Sequence, residues 1–596
     1  MSQFAPRLAP RLGPILASLL LGMAQLAPPV QAAQELIVQL DGLTLPLDID
    51  QLAAWARNPA HPQGDLGAWF DLLEPGSRQD LLRLLRAPLV QDRSLARQLI
   101  ESWAGEQVLG AMGEVISGDG LPAAWQPLAA VADAALPGPL PPLPPTTPQQ
   151  GQVPELQAGG PLLVKSLRQL LEHHQTVTTI DLLQAVPASR IQLNLDALVA
   201  MAGQWRQQLA AQRQALAVLR RLPLPERGPL LAITDGLAIA SASSAASGLV
   251  SPAPTQGPNP APGRKPTPLT SLPASRSQLI SLPVAHRSTP LPLVYWPAQG
   301  SIPTPGWVLL MPGLGGSAAQ LGWLGAALAE RGWPVLVLEH PGSDEQAVRA
   351  LLDGLQPPPG AETLPIRLQD VQAVVAAEQA GRLPPLGHSV VLMGHSFGGL
   401  TALLAAGLRP EADLAGRCRR VMRQLPLTNL SRLLQCQLAR VPLPKPQPLA
   451  QPVAGLVIFN GFGSLLWPNR GLAGLSAPVL LVGGSLDLVT PPLSEQLELF
   501  LPEANPRNRL ALVDGASHFS PVRIRPGSQA LFRLGDDLVG LAPERVQGME
   551  LSLTSEFLLG LETPMVLPPQ RRKLGGVNAY VLDRATAERW RSALRN

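Results

Sequence analysis

Six short, unbroken apolar runs punctuate the second half of the chain: Trp307–Met311, Pro334–Leu338, Ser389–Met393, Val453–Ile458, Pro478–Val482 and Arg509–Val513. Each is of strand length and shows no apolar–polar alternation, which predicts strands buried on both faces. Helical patterns lie between most of them, for example over 317–331, 367–379 and 398–407. Buried strands alternating with helices predict an α/β fold: a mostly parallel sheet with helices on both faces.

The first half follows a different pattern. Leu36 to Leu40 and then Leu43, Leu45 and Leu47 flank Asp41-Gly42, which predicts a small hairpin. Ser77 to Asp80 precede an apolar face at Leu81, Leu82, Leu84 and Leu85, an N-cap signal followed by helical spacing. Further helices are expected over 93–116, 161–174 and 179–185. A long stripe at Leu198, Ala202, Trp205, Leu209, Gln212, Leu216 and Leu219 ends at Pro223. With a Gln inside it, this stripe reads as a packed amphipathic helix rather than a coiled-coil seam. A mostly helical N-terminal domain over 33–222 is the expectation, with a Pro-rich interruption at 137–148. His173-His174 is the one eye-catching pair there. Adjacent histidines project to different sides of a helix, so a solvated face is favoured over a metal site.

Composition adjusts this picture. The chain has 596 residues, 46% hydrophobic and 15% charged, with 67 prolines and 54 glycines. That is material for two or three domains, at about one per 100–200 residues, plus a long linker. The linker falls at 223–277, where Pro, Ser, Ala and Gly leave too few large apolar residues to offset the entropy of ordering. The α/β domain then occupies 278–560 and a C-terminal tail 561–596. The 46 bases and 43 acids nearly balance, so there is no basic face and no nucleic-acid signal. Two cysteines exclude a disulfide-dense scaffold and any four-cysteine metal site. No run of apolar residues reaches the length of a polytopic span.

Arg7 and Arg11 precede an apolar run from Leu12 to Ala27, and small residues follow Pro28-Pro29 up to Ala33. This is the order of a signal peptide, 1–32, cleaved after Ala32. An exported protein, periplasmic or extracellular, is expected.

The chemistry concentrates after the third apolar run, which leads into Gly394-His395-Ser396-Phe397-Gly398-Gly399 and then an apolar helix. Gly-x-Ser-x-Gly between strand and helix is a nucleophile elbow, its glycines permitting a turn sharp enough to project Ser396. Three further features agree with it. Met311-Pro-Gly-Leu-Gly-Gly-Ser317 follows the first parallel strand and can aim the Leu314 N–H at an acyl oxygen, opposite the Phe397 N–H, as an oxyanion hole. Asp487 follows the fifth run and His518 the sixth. The order Ser396, Asp487, His518 is that of an α/β-hydrolase triad: nucleophile, orienting acid, and general base then acid. Asp514 competes with Asp487 but shares a loop with His518. His388, His395 and His340 fit the base position less well; His395 reads as a packing residue, and His340 as structural or site-lining. No metal or cofactor is required.

These residues resemble a known branch of that fold. The Gly-Leu-Gly loop, the Gly-His-Ser-Phe-Gly-Gly elbow and Leu338-Glu-His-Pro-Gly-Ser343 are similar to platelet-activating-factor acetylhydrolases and dienelactone-hydrolase-like proteins. The whole order of signal peptide, helical domain, linker and hydrolase domain resembles secreted α/β-hydrolases found mainly in cyanobacteria. Two departures matter. Dienelactone hydrolases use Cys where this chain has Ser396. The acetylhydrolases take their acid after the strand following the nucleophile, where this chain has Asn460, so Asp487 is preferred.

An insertion over 409–452 occupies a usual place for a cap. It carries Leu430, Leu433, Leu434 and Leu438 with Arg417, Arg419, Arg420, Arg423, Arg432 and Arg440. It suits an amphiphilic acyl or lipid ester with an anionic head, or is an ordinary solvated helix pair. Cys418 and Cys436 both lie here and are expected to pair in an oxidising compartment, which is worth about 3 kcal/mol for a loop of this size. The reading is thus an exported serine hydrolase acting on small-molecule or lipid esters, with peripheral membrane contact and the helical domain's partner left open. An acyltransferase using the same triad and a non-catalytic binding protein on a hydrolase scaffold are the alternatives.

Overall fold

The computed structural model describes residues 33–40, 43–59, 66–67, 75–90, 92–112, 116–118, 157–158, 160–230, 277–299, 306–422, 426, 428–502, 505–523 and 541–595. The expected signal peptide, the 137–148 interruption and most of the expected linker lie outside them. Two compact units emerge, one within 1–93 and 106–198, the other comprising 94–105 and 199–596.

In the first unit β1 (Glu35–Leu40) and β2 (Leu43–Asp48) form the expected hairpin, with Leu40 opposite Leu43. Asp48 then caps α1 (Ile49–Arg57), its carboxylate accepting from the Gln51 N–H at 2.8 Å. In chain order come α2 (Pro75–Arg86), β3 (Pro88–Val90), α3 (Arg93–Glu101), whose residues from Ser94 on belong to the second unit, α4 (Trp103–Met112), shared between the units, β4 (Ile116–Gly118), β5 (Gln157–Ala158) and α5 (Gly160–His173). They are followed by β6 (Val177–Thr178), α6 (Thr179–Ala185), β7 (Arg190–Asn194) and α7 (Leu195–Arg221). Ser102 separates α3 from α4 within the single helical stretch expected there. His173 and His174 are both exposed.

Helix predominates among the unit's described residues, but a sheet is built with it. Five strands in the order β2-β1-β7-β4-β5 form a sheet over a core that includes Ile49, Leu52, Trp55, Ile180 and Ile191. The helical expectation missed β7 because Arg190-Ile-Gln-Leu-Asn194 is too short and polar to stand out. It becomes a strand by pairing parallel to β1, 155 residues away at the Arg190–Glu35 ion pair.

The second unit holds β8 (Gln278–Leu282), β9 (Leu291–Trp296), β10 (Gly306–Met311), α8 (Ala318–Ala329), β11 (Val335–Leu338), α9 (Glu345–Leu352) and α10 (Leu364–Gln379). The elbow follows as β12 (Ser389–His395) and α11 (Phe397–Ala405), then the insertion as α12 (Leu414–Val421) and α13 (Ser431–Leu438). The chain continues with β13 (Val453–Phe459), β14 (Val479–Gly484), α14 (Gln496–Phe500), β15 (Arg509–Val513), α15 (Pro543–Glu562), β16 (Gln570–Leu574), β17 (Val577–Leu582) and α16 (Arg584–Arg595). All ten strands form one sheet, β16-β17-β15-β14-β13-β12-β10-β11-β9-β8.

The six apolar runs are its six central strands, all parallel. Alternate residues feed two cores: Leu309, Leu392 and Ile458 pack on one face, Val308, Val391 and Val457 on the other. Strands buried on both faces therefore need no polar positions, which is why they read as continuous apolar runs. An antiparallel pair closes each edge. Among the described residues no helix is long and apolar enough to cross a membrane.

Three expected boundaries move. Residues 199–221 belong to the second unit: Ala215, Leu216 and Leu219 of α7 join its core, and the Ala215 carbonyl accepts from Trp590 Nε1 at 2.9 Å. Residues 223–230, expected as linker, run along the β16 edge; Arg571 N–H donates to the Pro225 carbonyl and Arg227 N–H to the Arg571 carbonyl, both at 2.9 Å. The segment expected as a tail supplies β16, β17 and α16, with Tyr580 and Trp590 fully buried.

Candidate active site

The elbow is built by close backbone approach. Ser396 sits at φ 52°, ψ −116°, a strained conformation for any residue with a side chain, costing about 1–3 kcal/mol. A Cβ on Gly394 would lie 2.3 Å from the Gly398 backbone, and one on Gly398 2.2 Å from the Met311 carbonyl oxygen. Both glycines are therefore steric requirements of the turn.

Ser396, Asp487 and His518 come together. His518 Nε2 lies 3.1 Å from Ser396 Oγ, and His518 Nδ1 lies 3.0 Å from Asp487 Oδ2. Asp487 is fully buried and its other bonds are all donated to it: Val489 and Thr490 N–H at 2.8 Å on Oδ1, Thr490 Oγ1 at 2.5 Å and Asn460 Nδ2 at 2.7 Å on Oδ2. Burial by itself pushes this carboxyl up, but the His518 charge and the hydrogen bonds from His518 and Thr490 outweigh it and hold it at about 2. It is anionic at neutral pH and fixes the Nδ1–H tautomer of His518, leaving Nε2 facing Ser396 as an acceptor.

The competing acid is otherwise engaged: Asp514 Oδ2 accepts from Arg220 Nη2 at 2.6 Å. Asn460, where the acetylhydrolases carry their acid, instead donates to Asp487. His395 does more than pack. Its Nε2–H donates to the His518 carbonyl at 2.8 Å, and burial, reinforced by the His518 charge, lowers its pKa to about 3. It is therefore a neutral strut under the base loop. His340 Nδ1 lies 2.8 Å from Asp370 Oδ2; Arg287 donates to both oxygens of that carboxylate, and His286 Nε2 lies 2.7 Å from Oδ1. Sequence reasoning missed Asn460, Thr490 and the role of His395. Asn460 stood at a strand end, the one visible signal; the others depend on contacts made only by folding.

Leu314 lies in the loop after β10. A Cβ on the adjoining Gly313 would fall 3.4 Å from Ser396 Cβ, so this loop abuts the candidate nucleophile. Gly315 N–H donates to the Ser343 carbonyl at 2.8 Å and Gly316 N–H to that of Gly313 at 3.2 Å. The N–H groups of Leu314 and Phe397 have no acceptor among the described hydrogen bonds.

In the insertion, Cys418 of α12 and Cys436 of α13 form a disulfide with Cα atoms 5.3 Å apart. α13 docks beside the acid: Ser431 N–H donates to the Val489 carbonyl at 2.9 Å. The buried Glu495 carboxylate accepts from Asn429, Ser431 and Gln435 of the insertion and from Gly463 and Ser464 after β13. The arginines are partly committed elsewhere. Arg417 donates to the Leu465 and Glu411 carbonyls, Arg420 pairs with Asp413, and Arg440 lies over the Trp103 ring. Arg423 lies outside the described residues.

A parallel sheet whose central strand runs through a strained serine turn into a helix is the arrangement of the α/β-hydrolase fold. Comparison with known proteins agrees. A family model described as alpha/beta hydrolase of unknown function (DUF1400) matches residues 32–134, ahead of the second unit's sheet. Cutinase 2 of Thermobifida cellulosilytica is 25% identical over 238 residues, covering 38% of this chain and 65% of that relative. Cutinase cut1 of Thermobifida fusca is 25% identical over 238 residues, 38% of this chain and 53% of its own length. The chain thus spans less than two thirds of these curated relatives.

Proposed function

We propose that this chain is an exported serine hydrolase that cleaves carboxylic esters through an acyl-enzyme. The observation that carries the reading is the unbroken line of bonds from Ser396 Oγ through the His518 ring to the anionic Asp487. In the proposed reaction, Ser396 Oγ attacks the ester carbonyl while His518 Nε2 takes its proton. The Leu314 and Phe397 N–H groups receive the developing oxyanion, and protonated His518 then returns the proton to the leaving alcohol. Water repeats the sequence to release the acid. No step asks for a metal or cofactor. Relatives named as cutinases support an ester over an amide. The order of Arg7, Arg11, the apolar run and Ala32-Ala33 supports export; Edman sequencing of the secreted chain should begin at Ala33.

The test is turnover of p-nitrophenyl acyl esters from short to long chains by the full chain and its Ser396→Ala variant. Loss of at least about a thousandfold in kcat is expected, and the chain-length optimum reports what the cap admits. Product analysis with added alcohol separates hydrolysis from acyl transfer. Equal rates for the two proteins would leave the scaffold reading.

A further inference from the structure

We propose that Arg367, on α10, is a positioning residue that sets the spacing between the two backbone donors of the oxyanion hole. This rests on the serine-hydrolase reading. Those donors follow neighbouring strands, Leu314 in the loop after β10 and Phe397 at the start of α11 after β12; the strands pair with Met311 opposite Gly394, and beyond that pair a side chain that touches both segments would hold their spacing. Arg367 touches both. Its guanidinium is buried, and Nη2–H donates to the Pro312 carbonyl, two residues ahead of Leu314, at 2.7 Å. Nη1–H donates to Ser343 Oγ at 2.9 Å, and the Ser343 carbonyl in turn accepts from Gly315 N–H at 2.8 Å. The Leu314 peptide is thereby bracketed on both sides.

On the other side the guanidinium carbon lies 4.9 Å from the centroid of the Phe397 ring. Nε–H donates to Thr401 Oγ1 at 3.1 Å, and Thr401 Oγ1–H passes the restraint on to the Phe397 carbonyl at 2.8 Å. A planar cation with a fixed fork of donors suits this task, since each nitrogen holds one point of a rigid triangle. None of its three acceptors is a carboxylate, so the arrangement is not an ion pair retained for its own sake. Burying a cation against neutral groups is costly, and a packing role alone would be served by Met. Asp370, one turn further along α10, supplies the nearby negative charge and is itself held by His286, Arg287 and His340. Burial pushes the Arg367 pKa down, but only to about 9, so it stays charged at neutral pH.

Arg367→Met is expected to lower kcat about tenfold to a hundredfold per active site, short of the cost of losing a donor outright, with KM within about twofold. Affinity for an alkyl boronate, which mimics the tetrahedral species, should fall in parallel. Active sites are counted by fluorophosphonate titration, so misfolded protein does not enter the rate. Arg367→Lys restores the charge but not the fork and should recover little. Thr401→Val, a smaller change, cuts only the link to Phe397 and should lose about threefold to tenfold with the same pattern; it decides the matter if Arg367→Met does not fold. Unchanged kcat per titrated site and unchanged boronate affinity in the folded variants would overturn the inference and leave the serine hydrolase standing. Absence of Ser396-dependent turnover in the unmodified chain would instead overturn the underlying reading, and this inference with it.

Discussion

Burial lowers the pKa of His395 and of His340 to about 3 from the ordinary 6.5, with His518 and Arg367 respectively as the next contributors. In the unfolded chain each imidazole takes up a proton as the pH falls through about 6.5. In the folded protein neither does so until about 3, so over that window the unfolded state binds more protons and stability drops as the pH is lowered. Each site contributes about 1.4 kcal/mol per pH unit once the pH is well below 6.5. Asp487 and Asp370 act lower: both are held at about 2 against 3.8, so their stabilisation is complete above about pH 4 and lost as the pH drops towards 2. The midpoint of urea unfolding should therefore decline already between about pH 6 and 4.5, and His395→Gln should flatten that decline. A midpoint that holds steady down to about pH 4.5 would refute the buried, neutral histidines. At the elbow, Gly398→Ala places a Cβ against the Met311 and Pro312 carbonyls, both backbone, so relief needs the strands to move; a loss of at least about 3 kcal/mol in unfolding free energy is expected. Ser396, Asp487 and His518 were legible because each follows an apolar run in a short Gly- or Ser-bearing turn. Arg367 was not, since its acceptors Pro312, Ser343 and Thr401 lie 24 to 55 residues away and nothing local marks it.

At the scale of elements, what the sequence revealed depended on how a strand is covered. The six central strands are buried on both faces and announced themselves by unbroken apolar runs. The edge strands did not: Gln570-Arg-Arg-Lys573 of β16 reads as a solvated loop. It folds as a strand because β17 pairs with it and because Arg572 turns inward to Glu556 Oε2, at 2.6 Å with both side chains buried. The insertion was legible as a helix pair, whereas the acid-loop contact through Glu495 was not, its donors lying 31 to 66 residues away. The disulfide closes a loop of 18 residues between α12 and α13, worth about 3 kcal/mol. Thiol titration of the denatured, unreduced protein should find no free thiol, and reduction should lower the unfolding midpoint. Two free thiols in that titration would remove this strut.

For the whole molecule, the part of the chain that folds as one body matters more than the linker's position in sequence. A chain beginning at 278 retains Ser396, Asp487, His518 and all ten strands of the large sheet, yet it lacks α7. That helix sends the buried Gln212 side chain to the backbone carbonyl of Asp487 at 2.9 Å, pairs Arg220 with Asp514 in the loop carrying His518, and meets Trp590 at Ala215. Removing it takes Ala215, Leu216 and Leu219 out of the core, leaves Trp590 Nε1 without the Ala215 carbonyl and strips a hydrogen bond from the Asp487 backbone. The expected outcome is a chain from 278 that is insoluble or at least about tenfold lower in Ser396-dependent turnover, and a chain from 195 that is stable and keeps the full chain's turnover. Covalent continuity is a separate matter, because α7 and the strip at 223–230 are held by their own contacts with the core. A protease site placed within 231–276 and cut after folding should leave the two fragments together on a sizing column, with activity intact. If the chain from 278 matched the full protein in Tm and turnover, α7 would be a passenger, and the catalytic unit would begin where the sequence alone had placed it.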